Sequence, residues 1–80
     1  MKNDVQTLPQ EFVDQLVTLY NQGKYLTLIE RAQSLKIEYS EAFFIWNILG
    51  AAFAQSRMMD KSIEAYKKCI SLNPDYVDAY

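Results

Sequence analysis

Few side chains in this sequence could carry out chemistry. There is no histidine, and Cys69 is the one cysteine. No pair of carboxylates lies near a candidate nucleophile, and no glycine-rich phosphate loop or Cys/His metal-ligand spacing is present. The sequence therefore predicts that this segment is not an enzyme and that it holds no cofactor and no metal ion.

Cys69 has two interpretations, a reactive thiol or a buried and inert one. It lies on the same face of a predicted helix as Ser62 and Tyr66, where a small residue lets a neighbouring helix come close. We therefore expect it to be buried and unreactive. A single cysteine cannot form an internal disulfide, which favours a reducing compartment and a cytoplasmic location.

The overall composition is that of a globular domain. Apolar residues make up 50% of the chain, charged residues 22%, and the net charge is only −2. This balance favours neither nucleic acid nor an anionic membrane surface as a partner. The longest uncharged run, residues 42–56, is too short to cross a bilayer and contains Asn47 and Gln55, so it predicts a buried helix.

Apolar periodicity and turn signals predict a chain of helices. The first begins at Leu8 or Pro9 and is closed by Gly23 in the left-handed conformation. Ser40 is predicted to cap the third helix, and the turn before the fourth lacks the glycine expected there. The remaining predicted helices span 25–37, 41–56 and 59–72, and a fifth would begin at Tyr76.

The sequence also repeats itself with a period of 34 residues. This shift aligns the aromatic residues Phe12, Trp46 and Tyr80. It also aligns further apolar pairs, which include Leu19 with Phe53, Tyr25 with Met59 and Ile29 with Ile63. A repeated helical hairpin accounts for this spacing, because each copy must present the same face to the next.

The second copy carries a recognisable pattern of bulky and small residues. Six of its eight marked positions have the residue type of the pattern W-x2-L-G-x2-Y…A-x3-F…P, and the other two are still small. The positions are Trp46, Leu49, Gly50, Phe53, Ser62, Tyr66, Cys69 and Pro74. The chain therefore resembles the tetratricopeptide repeat (TPR) family.

The resemblance implies an all-α fold in which antiparallel helical hairpins stack as a right-handed solenoid. It divides the chain into a flexible N-terminal segment (1–8), a divergent, cap-like first repeat (9–42), a second repeat close to the family pattern (43–76) and the start of a truncated third (77–80). Trp46, Phe53 and Tyr66 are expected to fill the space between hairpins.

The family also implies a function, because the first helix of each hairpin lines a concave surface that binds a peptide. The expected partner-binding residues are Val13, Val17, Tyr20, Phe44, Asn47, Ile48, Ala51 and Gln55. Val13, Val17 and Ile48 replace the polar residues of the family's carboxylate clamp, and Ile48 also replaces the asparagine of a second subgroup's ladder. The resemblance thus implies a non-catalytic scaffold with a protein or peptide partner and an apolar floor, which could equally pack against neighbouring chain.

Two alternatives remain open from the sequence. The chain could be the N-terminal, substrate-presenting TPR segment of a larger bacterial glycosyltransferase or sulfotransferase, or an excised or engineered repeat unit that self-assembles. Since the last helix would normally be covered by another repeat, we also expect a homo-oligomer or a helix swap through the uncovered C-terminal end.

Overall fold

Four α-helices make up the fold in the computed structural model, which describes residues 8–72. The helices are α1 (Gln10–Asn21), α2 (Tyr25–Glu38), α3 (Phe43–Gln55) and α4 (Met59–Leu72). No strand occurs among the described residues, so the predicted all-α class is confirmed. The predicted fifth helix and the ring of Tyr80 lie outside these residues.

Consecutive helices pack against one another, α1 on α2, α2 on α3 and α3 on α4. The connections 22–24, 39–42 and 56–58 are short, and short links between packed helices produce antiparallel neighbours. The described chain is therefore two helical hairpins, α1–α2 and α3–α4. This arrangement fits a helical repeat, while the handedness of a longer solenoid stays a prediction.

Every helix contributes to one continuous core. The largest fully buried side chains are Leu16, Leu28, Ile45, Leu49 and Cys69. Leu8 also packs into this core, although the sequence analysis placed it in the N-terminal segment. Trp46 is only partly buried against the core, whereas Phe53 is buried.

The α1–α2 turn closes in the way expected for a glycine. Gly23 has a φ of +75°, its N–H donates to the Tyr20 carbonyl at 3.0 Å, and the Lys24 N–H donates to the Leu19 carbonyl at 2.9 Å. These two nested bonds satisfy carbonyls that the end of a helix otherwise leaves open. The predicted role of Gly23 is confirmed.

The α3–α4 turn repeats this geometry without a glycine. Arg57 has a φ of 64°, its N–H donates to the Ala54 carbonyl at 3.1 Å, and the Met58 N–H donates to the Phe53 carbonyl at 2.8 Å. Arg57 therefore adopts the left-handed conformation that Gly23 adopts at the equivalent position of the first hairpin. A side chain in this conformation costs roughly 1–2 kcal/mol, which the packing of α3 on α4 must offset.

The start of α3 differs from the prediction. Ser40 does not cap this helix: α3 begins at Phe43, its N-cap is Ala42, and no side chain caps it. The Ala42 N–H donates to the Tyr39 carbonyl at 3.0 Å, so the chain makes a turn before the helix can begin. The Ser40 carbonyl instead accepts the indole N–H of Trp46 at 2.8 Å.

The closest approach of α3 and α4 occurs at Gly50. A Cβ at this position would lie 2.7 Å from two carbons of the Tyr66 ring, a distance that packed atoms do not tolerate. Beside it, the buried Ser62 hydroxyl donates to the Gly50 carbonyl at 2.8 Å. The ring and the hydroxyl therefore both lie directly against the α3 backbone, as the small residues of the pattern predicted.

Replacing Arg57 by glycine should stabilise the protein, because it removes the cost of a side chain at positive φ. We expect the free energy of unfolding to rise by about 0.5–1 kcal/mol, after allowing for the greater backbone freedom of glycine in the unfolded chain. The reciprocal change, Gly23→Ala, should lower it by about 1 kcal/mol. Urea unfolding followed by circular dichroism measures both.

Gly23→Ala tests the cost of the backbone conformation without a steric clash, because a Cβ there meets no atom within 4 Å. Arg57→Lys serves as the control, since it keeps a side chain on the same backbone and should leave stability unchanged. A destabilised Arg57→Gly variant would show that the arginine side chain, and not its backbone, matters at the turn.

Replacing Gly50 by alanine should destabilise the protein by about 1–3 kcal/mol, because the new methyl group overlaps the Tyr66 ring. In an uncrowded helix interior, replacing glycine by alanine stabilises a protein by about 1 kcal/mol. The sign of the change in unfolding free energy therefore shows whether position 50 is crowded. In a Tyr66→Leu background the penalty should shrink, which a double-mutant cycle of thermal unfolding measures. A higher melting temperature for Gly50→Ala alone would contradict the close approach.

Candidate functional site

A groove runs between α1 and α3 and gathers six of the eight residues expected to bind a partner. We call it the inner groove, and its volume is about 260 Å³. Its lining residues are Val17, Tyr20, Phe44, Asn47, Ile48 and Ala51. The structure thus brings together, on one surface, residues that are up to 34 positions apart in the chain.

Helical spacing explains why these side chains meet. On α3 the lining residues follow the spacing i, i+3, i+4 and i+7 from Phe44, which is one face of a helix. On α1 the pair Val17 and Tyr20 has the spacing i, i+3. The two faces lie beside each other because both helices occupy the same place in their hairpins.

The floor and the wall of the inner groove differ in accessibility. Ile48 is only 7% exposed and belongs to the hydrophobic core, so it forms the floor. Val17 is 38% exposed and forms part of the wall. A charged residue at position 48 would therefore disturb the core as well as the groove, whereas position 17 can be altered with less effect on folding.

Val13 and Gln55, the other two expected residues, are not among the groove's lining residues. Val13 is partly buried against the hydrophobic core. Gln55 is exposed, and its Nε2 donates to the Tyr20 hydroxyl at 3.4 Å, so it links α3 to α1 beside the groove. The ring of Tyr20 also meets the edge of Tyr25, with centroids 5.3 Å apart, which holds this groove residue in place.

Two titratable groups on α4 stay protonated at neutral pH. Burial raises the pKa of the Tyr66 hydroxyl, and the nearby Tyr20 and Cys69 raise it further. Burial also raises the pKa of the Cys69 thiol, which has no solvent-exposed surface. A neutral, inaccessible thiol is a poor nucleophile, in agreement with the structural role expected for Cys69.

The described part of the chain shows no group of three His, Cys, Asp or Glu residues placed to hold a metal ion. Between residues 8 and 72, no helix has the length and apolar character needed to cross a membrane.

The sequence did not predict one feature on the opposite side of α3. The ammonium groups of Lys36 on α2 and Lys68 on α4 both lie over the ring of Trp46. Neither lysine takes part in the 34-residue repeat pattern, since their equivalents are Ile70 and Ser34. No sequence signal marked them, because α2 and α4 approach each other only through the packing of both on α3.

Comparison with known proteins identifies the second hairpin. Residues 43–76, which include α3 and α4, match the sequence model of the family described as tetratricopeptide repeat. No curated protein and no solved structure gives a significant match to the chain. The four helices of the structure are consistent with a tetratricopeptide-type repeat, and α3 and α4 lie within the matched residues.

Proposed function

We propose that this chain is a non-catalytic protein-interaction scaffold that binds a peptide of a partner protein in the inner groove. Tetratricopeptide repeats generally bind proteins or peptides and are generally non-catalytic, and the match of residues 43–76 to this family supports the proposal. The observation that carries the proposal is the groove itself, with its lining drawn from the first helix of each hairpin.

The chemistry of the groove favours a peptide with an apolar side chain at its centre. Ile48, Ala51 and Val17 offer an apolar floor and wall, while Tyr20 and Asn47 add polar atoms at the edge. A buried apolar anchor supplies most of the affinity in such interfaces, and polar atoms around it fix the register of the bound segment. Among the described residues, none that lines the inner groove is charged, so the proposed peptide contact is uncharged.

A cytoplasmic location, without nucleic acid or membrane as a partner, completes this proposal. The free and buried thiol of Cys69 supports it, because reduced cysteines are typical of that compartment. The low net charge of −2 also argues against binding to polyanions.

Replacing Val17 by glutamate should weaken peptide binding, because it puts a carboxylate into an apolar wall without opening the core. Peptides selected from a random display library on the wild-type protein supply the ligands. Their affinity for Val17→Glu, measured by calorimetry, should fall at least about tenfold, which corresponds to roughly 1.4 kcal/mol.

Ile37→Glu is the matched control for this experiment. Ile37 lies on α2, is 82% exposed and does not line the inner groove, so the same substitution should leave affinity unchanged. Selected peptides that bind Val17→Glu as tightly as wild type would refute the inner groove as the binding site.

We also propose that the chain self-associates through α4. Ile29 on α2 is only 8% exposed, whereas Ile63, its equivalent 34 residues later on α4, is 51% exposed. Met59, also on α4, is another exposed large apolar residue. The α4 face therefore repeats an apolar surface that α2 buries, and a second copy of the chain can cover it.

The opposite end of the described residues, at α1, favours a symmetric pairing of α4 with α4. Ile45 and Ala52 of α3 are buried, but their equivalents on α1 are Glu11 and Thr18, and both are exposed. A head-to-tail stack would bring these polar groups against Ile63 and desolvate the carboxylate. A two-fold arrangement avoids that cost, because each α4 meets only the other α4.

Ile63→Glu should therefore convert a dimer into a monomer. Sedimentation equilibrium at about 100 μM, a concentration that favours association by mass action, measures the mass, with Ile37→Glu again as the control that keeps the dimer. Wild-type protein that remains strictly monomeric at this concentration would refute self-association through α4.

A further inference from the structure

Trp46 sits at the centre of a second surface, on the far side of α3 from the inner groove. At about 100° per residue, positions 46, 49 and 53 point roughly 180° away from positions 44, 48 and 51. The two surfaces share no lining residue. A ligand on this side would therefore be independent of a peptide in the inner groove.

The indole ring of Trp46 is held in a fixed position. Its Nε1–H donates to the Ser40 carbonyl at 2.8 Å. The ammonium of Lys36 lies 5.1 Å from the ring centroid and that of Lys68 lies 5.9 Å from it. Two cations from different helices thus converge on one ring, at distances where the attraction of a cation to an aromatic face is effective.

Beside this ring lies a small groove between α2 and α4, with α3 behind it. We call it the outer groove, and its volume is about 180 Å³. Its floor and rim include Lys36, Trp46, Leu49, Phe53, Lys61 and Ala65. Leu49 and Phe53 are buried residues of the core, so the floor is rigid and apolar.

The charge of this region is opposite to that of the chain. The protein as a whole has a net charge of −2, yet Lys36 and Lys61 line the outer groove and Lys68 lies over its tryptophan. Between residues 8 and 72, Glu64 is the one acidic residue that lines the outer groove. Since like charges repel, this concentration of lysines favours an anionic ligand.

We propose that the outer groove binds an acidic peptide segment, with one apolar side chain against the floor and flanking carboxylates on Lys36, Lys61 and Lys68. The groove is smaller than the roughly 300–1,000 Å³ of typical small-molecule pockets, so it accommodates an anchoring side chain and not a whole small ligand. The carboxylates of the peptide attract the lysines, which otherwise repel one another. The apolar side chain of the peptide, held against the floor, fixes the register in which the peptide binds.

The same features argue against a nucleic acid in this groove. Single-stranded nucleic acids bind where an aromatic face is open for base stacking along a continuous basic track. Here Lys36 and Lys68 already lie over the Trp46 ring, and Glu64 interrupts the basic rim. The positive region is also short, so it neutralises a few carboxylates and not an extended phosphate backbone.

The chain provides its own reporter for a binding experiment, since Trp46 is the single tryptophan. The probe is a blocked pentapeptide with a central leucine between two pairs of aspartates. We expect a saturable change of tryptophan fluorescence that weakens as salt is raised. The same peptide with lysines in place of the aspartates should give no change, and an alanine in place of the leucine should weaken binding.

Charge-removing variants test the assignment of the lysines. Lys36→Gln and Lys68→Gln should each weaken binding about three- to fivefold by calorimetry, and the double variant by about tenfold or more. Lys24→Gln, in the exposed α1–α2 turn, is the matched control and should bind like wild type. Thermal unfolding by circular dichroism checks that the variants remain folded.

Three results would overturn the proposal. The first is no saturable binding of the acidic peptide at low salt. The second is equal affinity of the wild type and the Lys36→Gln/Lys68→Gln double variant. The third is tighter binding of an oligothymidylate than of the acidic peptide. Val17→Glu should retain full affinity for the acidic peptide, so this test is separate from that of the inner groove.

Discussion

The contact between the α3 backbone at Gly50 and the ring of Tyr66 is the constraint on which the rest of the structure depends. Because Gly50 has no side chain, the ring lies directly on α3, and the Ser62 hydroxyl donates to the Gly50 carbonyl beside it. The α3–α4 hairpin closes through Arg57 in a left-handed conformation. This connection makes α4 antiparallel to α3, and Cys69 of α4 is therefore buried in the core.

α3 is the shared wall of both candidate surfaces. No residue between Phe43 and Gln55 is charged, so the helix presents apolar side chains on every side and must be covered all round. α1 covers one side and leaves the inner groove, while α2 and α4 cover the other and leave the outer groove. Tyr20 and Asn47 give the inner groove a polar edge, whereas lysines of the flanking helices give the outer groove its positive charge. One apolar helix can thus support two sites of different chemistry.

The two ends of the described chain have different characters, and this asymmetry bears on assembly. On α1 the outward positions equivalent to the buried Ile45 and Ala52 are Glu11 and Thr18, which water can solvate. On α4 the equivalent of a buried isoleucine remains apolar and exposed at Ile63. A repeat unit that is polar at one end and apolar at the other has a preferred direction of growth or pairing, because only the apolar end gains free energy by burial.

The sequence by itself predicted the helices and their pairing into hairpins, and six of the eight residues expected to bind a partner line the inner groove. Spacings of three and four residues place side chains on one face of a helix, and a 34-residue repeat sets equivalent faces side by side. The resemblance to the tetratricopeptide family then implied Val17 and Ile48 as groove residues without coordinates. Only the tertiary structure decided the conformation of Arg57, where packing outweighs a local preference for glycine. It also decided the meeting of Lys36 and Lys68 over Trp46, because neighbours from separate helices are brought together by packing and not by any local pattern.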